Sequence, residues 1–136
     1  MHRNPGKKDR RGATVVEFAL VAPVFFLVIL AMFEFSWLNV VRHTADNAAY
    51  EAARKAIVPG ADASEATDEA TRILRAIGAR GARIAVDPPT ITPETREVRV
   101  TIDIPMRDNA IAFPKFTGAL VMHAESTLRT ERVSTR

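Results

Sequence analysis

The sequence predicts an α+β chain: one long N-terminal helix that crosses a membrane, continues as an alanine-rich stalk, and leads into a small domain with one further helix and a short antiparallel sheet. Three observations predict it. Residues 18–33 read FALVAPVFFLVILAMF, sixteen positions without a charge or a hydroxyl. Alanines then recur at helical steps from Ala45 to Ala56. Beyond Arg83 the apolar period falls from that of a helix to two, the period of a strand.

The chain begins with a basic head. Residues 1–12 carry Arg3, Lys7, Lys8, Arg10 and Arg11 against Asp9, a charge of +4, whereas the other 124 residues hold 14 basic and 15 acidic groups. The sequence pI of about 9.8 therefore comes from a short tail, and a basic surface for nucleic acid is not predicted. The apolar run follows. Eleven of its sixteen residues are Leu, Ile, Val or Phe, worth roughly −3 to −7 kcal/mol of insertion free energy on a translocon scale. Sixteen helical residues reach only ~24 Å, short of a hydrocarbon core of ~30 Å. The span must borrow Ala13–Val16 before Glu17 or Phe35–Leu38 after Glu34, and either choice brings a carboxylate near hydrocarbon, where acids are costly and functional. The membrane helix is set at 13–41, with Trp37 as an interfacial anchor. The positive-inside rule puts residues 1–12 in the cytoplasm and the remainder after the span outside it. A cleaved secretory signal fits less well, because the run exceeds a usual signal core and no small-x-small site follows it.

The start of the run carries a more specific pattern. Arg10 and Arg11 precede Gly12, four uncharged residues follow, then Glu17 and Phe18. This stretch resembles the cleavage junction of type IV prepilin-like proteins. The wider segment, with Arg11-Gly12, Ala13, Val16-Glu17-Phe18, Pro23 and Glu34, resembles the N-terminal part of the TadE-like pseudopilins of the tight-adherence (Tad, or Flp) pilus. Phe18 departs from the Glu-Tyr pair of the major pilins of that system, which favours a minor component. The resemblance implies a pilin-like fold and a prepilin peptidase that cuts between Gly12 and Ala13. It further implies that Glu17 pairs with the terminal amine of a neighbouring subunit. Glycine before the cut lets the backbone lie flat in a peptidase cleft. Glu17 stands one helical turn from the new terminus, near the positive end of the helix dipole. In low dielectric a lone charge of either sign costs several kcal/mol, so the pair would set axial register. Arg10 and Arg11 form the basic flank of the junction. Pro23 removes a helical hydrogen bond and predicts a kink. Glu34, about 25 Å along the axis from Glu17, is either an interfacial acid or a partner contact.

No breaker separates the span from Val58-Pro59-Gly60, so the stalk, residues 42–57, continues the same helix. Ala45, Ala48, Ala49, Ala52, Ala53 and Ala56 make a small-residue stripe that fits either another helix or the chain's own sheet, and the second is favoured because the outer domain needs a helix to complete its core. The segment Ala48–Ala56 also resembles the alanine-rich stretch that follows the membrane helix in TadE-like proteins. The outer domain is set at 58–136. Its helix runs from about Ala63 to Ile77, with Asp62 and Glu65 at capping-box spacing, Gly78 as the stop, and Ala66, Ala70, Ile73, Leu74 and Ile77 on the apolar face. The opposite face pairs Asp68 with Arg72. Strands follow at Arg83–Val86 and Val98–Ile104, and a third at roughly Leu120–Arg132 resembles the closing strand of TadE-like domains. This domain holds only 18 Leu, Ile, Val or Phe in 79 residues, a marginal core by itself.

Motifs for chemistry are missing from the sequence. His2, His43 and His123 have no metal spacing, and there is no cysteine, no nucleophile elbow and no phosphate loop. Gly78–Gly81 imitates an RNA-clamping Gly-x-x-Gly loop but is explained by a helix stop and a turn. No enzyme, cofactor, metal or nucleic acid is expected. The expected partners are a prepilin peptidase, other pilin or pseudopilin subunits, the Tad secretion platform and the lipid bilayer. The expected place is the bacterial cytoplasmic membrane, single-pass, with passage into a surface pilus as a further step. The alternative is an unprocessed single-pass adaptor whose outer domain binds another envelope protein.

Overall fold

The computed structural model describes residues 9–129. Most of the expected leader, residues 1–8, and the expected end of the last strand, residues 130–132, lie outside them. Helix α1, Asp9–Ala56, is 48 residues long, about 72 Å at the usual rise. It passes through Pro23, which has no N–H to offer the carbonyl of Ala19, and carries apolar run and alanine stripe as one rod. Helix α2, Ala63–Ala76, strands β1, Arg83–Asp87, and β2, Glu97–Pro105, a 3-10 turn at Met106–Asp108, the short helix α3, Pro114–Thr117, and strand β3, Val121–Arg129, complete the order. The architecture is the expected α+β type, and α1 is the single helix among the described residues long and apolar enough to cross a membrane.

The caps of α2 follow from local chemistry. Asp62 accepts the Glu65 backbone N–H at 2.9 Å and the Ser64 hydroxyl at 2.7 Å. The Ser64 bond first, and the Glu65 bond after it, hold the Asp62 carboxyl below the usual carboxylate range. At the other end Gly78 adopts φ +72°, its N–H bonds the carbonyl of Arg75 at 2.9 Å, and the Ala79 N–H bonds that of Leu74 at 3.1 Å. That is the double closure a left-handed glycine permits. The exposed face differs from expectation in one pair: Arg72 bonds Glu69, one residue later than Asp68. Glu69 also lies within 3.6 Å of Lys55 on α1, so its carboxylate stands between two cations.

The three strands form an antiparallel meander in the order β1-β2-β3. Period-two alternation sorts its faces. Val98, Val100, Ile102 and Ile104 of central strand β2 are fully buried and stand opposite Leu128, Ser126, Ala124 and Met122 of β3. The outer face is a polar ladder, with Glu97 on Arg129 at 2.9 Å and Asp103 on His123 at 2.7 Å. The inner face is covered by the second half of α1 over β2 and β3, and by α2 beside it over β1. Ala45, Ala48, Ala49, Ala52, Ala53 and Ala56 are all 0–1% exposed. The stripe is thus spent inside its own domain, where methyl side chains let the helix lie close to the sheet and to Ala66 and Ala70 of α2. The core continues below the stripe. Val41 is fully buried, and Trp37 and Leu38 pack against the same cluster.

Candidate functional site

α1 holds two acids at the borders of its apolar run, and the fold treats them differently. Glu17 is exposed, and it makes no ion pair among the described residues. From Ala13 through Val21 every residue around it is exposed too, so no described residue packs on this part of the helix. Gly12 lies inside α1, one position before Ala13, and a Cβ built there would meet nothing within 4 Å. A mid-helix glycine costs about 1 kcal/mol relative to alanine, and this fold supplies no steric reason to keep it. The side chains of Arg10 and Arg11 lie outside the described residues; their backbone belongs to the first turn of α1.

Glu34 is only 3% exposed. One carboxylate oxygen accepts the backbone N–H of Ile111 at 3.0 Å and of Ala112 at 2.7 Å, and the other accepts the Thr117 hydroxyl at 2.9 Å. Both oxygens are therefore engaged within the chain, by the loop that enters α3. Charge-assisted bonds of this kind are the stronger class of hydrogen bond, and three of them offset the cost of drawing a carboxylate out of water. One turn further along α1, the Trp37 indole N–H donates to the backbone carbonyl of Asn109 at 2.7 Å. The residue expected at a lipid interface is thus tied to the protein domain.

Asn109, to which composition and spacing give no pointer, is the second buried polar side chain of the domain, 7% exposed. Its Oδ1 accepts the Arg80 N–H at 2.8 Å, and its Nδ2 donates to the carbonyls of Arg80 at 2.9 Å and Pro105 at 2.7 Å. One amide thereby joins the turn before β1 to the end of β2, while its own carbonyl holds α1. Gly118 closes the loop. Its N–H bonds the Pro114 carbonyl at 2.9 Å, and a Cβ there would sit 2.3 Å from that oxygen, so no other residue fits without moving the backbone.

These contacts bear on the membrane segment. The expected span, 13–41, overlaps the folded domain over residues 34–41, where Glu34 and Val41 are buried and Trp37 and Leu38 are packed. The continuous unpacked apolar run ends at Phe33, and Phe35 beyond it is exposed as well. Among the described residues no group of three or more acids or histidines could hold a metal ion.

Comparison with known proteins adds one finding. Residues 12–54 match the model of a family described as TadE-like protein. The matched segment begins at the glycine of the expected junction and ends in the last turns of α1, leaving α2 and the sheet outside it. No curated protein and no solved structure matches the chain.

Proposed function

From the match of residues 12–54 to the TadE-like family, we propose that this protein is a minor pilin of a Tad (Flp) type IV pilus, matured by a prepilin peptidase between Gly12 and Ala13. Such pilins are structural proteins and not enzymes. The observation that carries the reading is the contrast between the acids of α1. Glu34 is fully engaged inside the chain, whereas Glu17 stands exposed on an apolar rod with no ion pair among the described residues. A carboxylate in that setting calls for a cation from outside the chain.

Maturation supplies it. Cutting after Gly12 removes the +4 head, with Arg10 and Arg11 at its end, and leaves an ammonium on Ala13, one turn from Glu17. In a packed assembly the amine of one subunit meets Glu17 of the next. Helix packing without water gains little specificity from apolar surface, so a charge pair sets axial register where the Val and Phe side chains do not. Gly12 belongs to the peptidase and not to the fold: a helix must open to extended backbone to enter a cleft, and glycine lowers the cost of opening. The span is then Ala13–Phe33, about 31 Å of helix, which matches the hydrocarbon core without borrowing from the domain. The basic head lies on the cytoplasmic side and the α+β domain on the outer side. Other pilin subunits and the Tad secretion platform are the partners of the exposed rod.

The intact mass of the protein recovered from membranes of cells with a prepilin peptidase tests the reading. Loss of residues 1–12 is expected, and Gly12→Val should abolish that loss. Recovery of the full-length chain points instead to a permanently anchored adaptor, and loss of about 36 residues or more to an ordinary secretory signal.

A further inference from the structure

The loop between β2 and β3 descends α1 towards its apolar run. Asn109 is bonded to Trp37, and two residues later Ile111 is bonded to Glu34, three positions nearer the N-terminus of α1. Side chains of a helix lean towards its N-terminus, so the Glu34 carboxylate lies below its own Cα, on the side of Phe33. The chain turns there. Ala112 and Thr117 bond the same carboxylate, and by Leu120, whose carbonyl accepts the Met106 N–H at 2.9 Å, it has returned to the level of the sheet. The segment 111–117 is thus the part of the domain closest to the apolar run.

Its composition is unusual for a surface loop. Ile111 is 63% exposed and Phe116 82%, and Leu120 at 49% and Val121 at 57% follow them in the chain. Phe113 and Phe116 stack edge to face with centroids 6.3 Å apart. Lys115 is exposed between them, and no acid occurs from Ala110 to Ala124. Apart from the span itself, this is where the described chain concentrates large apolar side chains in water.

We infer that residues 111–117 form a second membrane contact, a lipid-facing foot in which Ile111 and Phe116 enter the headgroup region of the leaflet on the domain side while Lys115 reaches its phosphates. The occupant is lipid because the patch is continuous with the end of a membrane-crossing helix and held against it by Glu34, at the depth where that helix leaves hydrocarbon. Aromatic side chains with a flanking lysine suit this layer. The inference rests on α1 crossing the membrane; it does not depend on processing or on pilus assembly.

The chain has no cysteine, so single cysteines can report depth. Phe116→Cys, Val28→Cys and Glu94→Cys, each carrying an environment-sensitive fluorophore, would be placed in the full-length protein in vesicles of phosphatidylethanolamine and phosphatidylglycerol. Quenching by lipids bearing a nitroxide near the headgroup or deep in the chain would be compared with quenching by aqueous iodide. The deep nitroxide should quench at Val28→Cys and iodide at Glu94→Cys. At Phe116→Cys the headgroup nitroxide should quench, with most of the iodide quenching seen at Glu94→Cys lost. Iodide quenching at Phe116→Cys equal to that at Glu94→Cys, with Val28→Cys still lipid-quenched, overturns the foot and leaves the span intact. Shielding from both quenchers that disappears when protein is diluted in lipid overturns it in favour of a protein neighbour. Absence of lipid quenching at Val28→Cys removes the span and the foot together.

Discussion

Glu34 and Glu17 are chemically alike and 17 positions apart on one helix, yet they answer to different surroundings. Glu34 is enclosed by three donors. Replacing it with Met keeps its length but removes both acceptor oxygens, so the Ile111 and Ala112 N–H groups lose their acceptor while the Thr117 hydroxyl keeps the Phe113 carbonyl at 3.0 Å. A buried unmade hydrogen bond costs about 1–3 kcal/mol. Glu34→Met should therefore lower the unfolding stability of the domain by about that amount for each, read by denaturant titration in detergent. Amide exchange at Ile111 and Ala112 should accelerate more than exchange in β2, since the loop loses its tether before the sheet loses its core. Equal protection of both amides in the variant would mean that the carboxylate is incidental to the loop. Asn109 has the same character, because its three side-chain bonds tie the turn before β1 to the end of β2 beyond the last pair of their ladder, Arg83 and Asp103.

At the scale of the element, the alanine face of α1 shows how a small domain compensates for few large apolar residues. Helix and sheet approach over methyl groups, and the bulk is contributed by Val98, Val100, Ile102, Ile104 and Met106, all fully buried. Such an interface has no slack. Ala52→Leu inserts three carbons at a position with 0% exposure, and overpacking of that kind typically costs about 1–3 kcal/mol. The expected result is a lower thermal midpoint with membrane insertion unchanged, because the span on the N-terminal side of Glu34 is untouched. If the same substitution left stability unaltered and impaired only association with other subunits, the stripe would be an assembly surface after all. α2 stands on local chemistry at both ends, through Asp62 and Gly78, and contributes Ala66, Ala70 and Leu74 to the core.

For the whole molecule the consequence is a division of labour along one rod. From Ala13 to Phe33 α1 offers an unpacked apolar surface, and from Glu34 to Ala56 it is the spine of a domain. Association through the first part leaves the second folded as it is. Glu17→Val should accordingly insert in the membrane, be processed and fold as the parent does, and fail to enter the assembly efficiently. Pull-down of partner subunits from solubilised membranes, with α-helical content as the control, distinguishes this from a folding defect. Normal incorporation of the variant would leave the proposed charge pair without a role.

Much of this plan was legible in the residues. The apolar run, the alanine steps, the Asp62 and Gly78 caps and the alternation of β2 are local patterns, because helix and strand periods are properties of neighbouring residues. They determined the long helix, its continuation into the stalk, the second helix and the existence of a sheet. The segment that matches the TadE-like family was legible for the same reason, since it lies within a single helix. The partners of Glu34, Trp37 and Asn109 were not, because they lie up to 83 residues away, in a loop without periodicity. Only the tertiary structure decided that Glu34 faces its own chain, that the apolar run is left unpacked only as far as Phe33, and that β2 takes the centre of the sheet. Each of these depends on where a hydrogen-bond donor or a strand edge arrives after the chain has turned back, and that is settled by packing between distant segments.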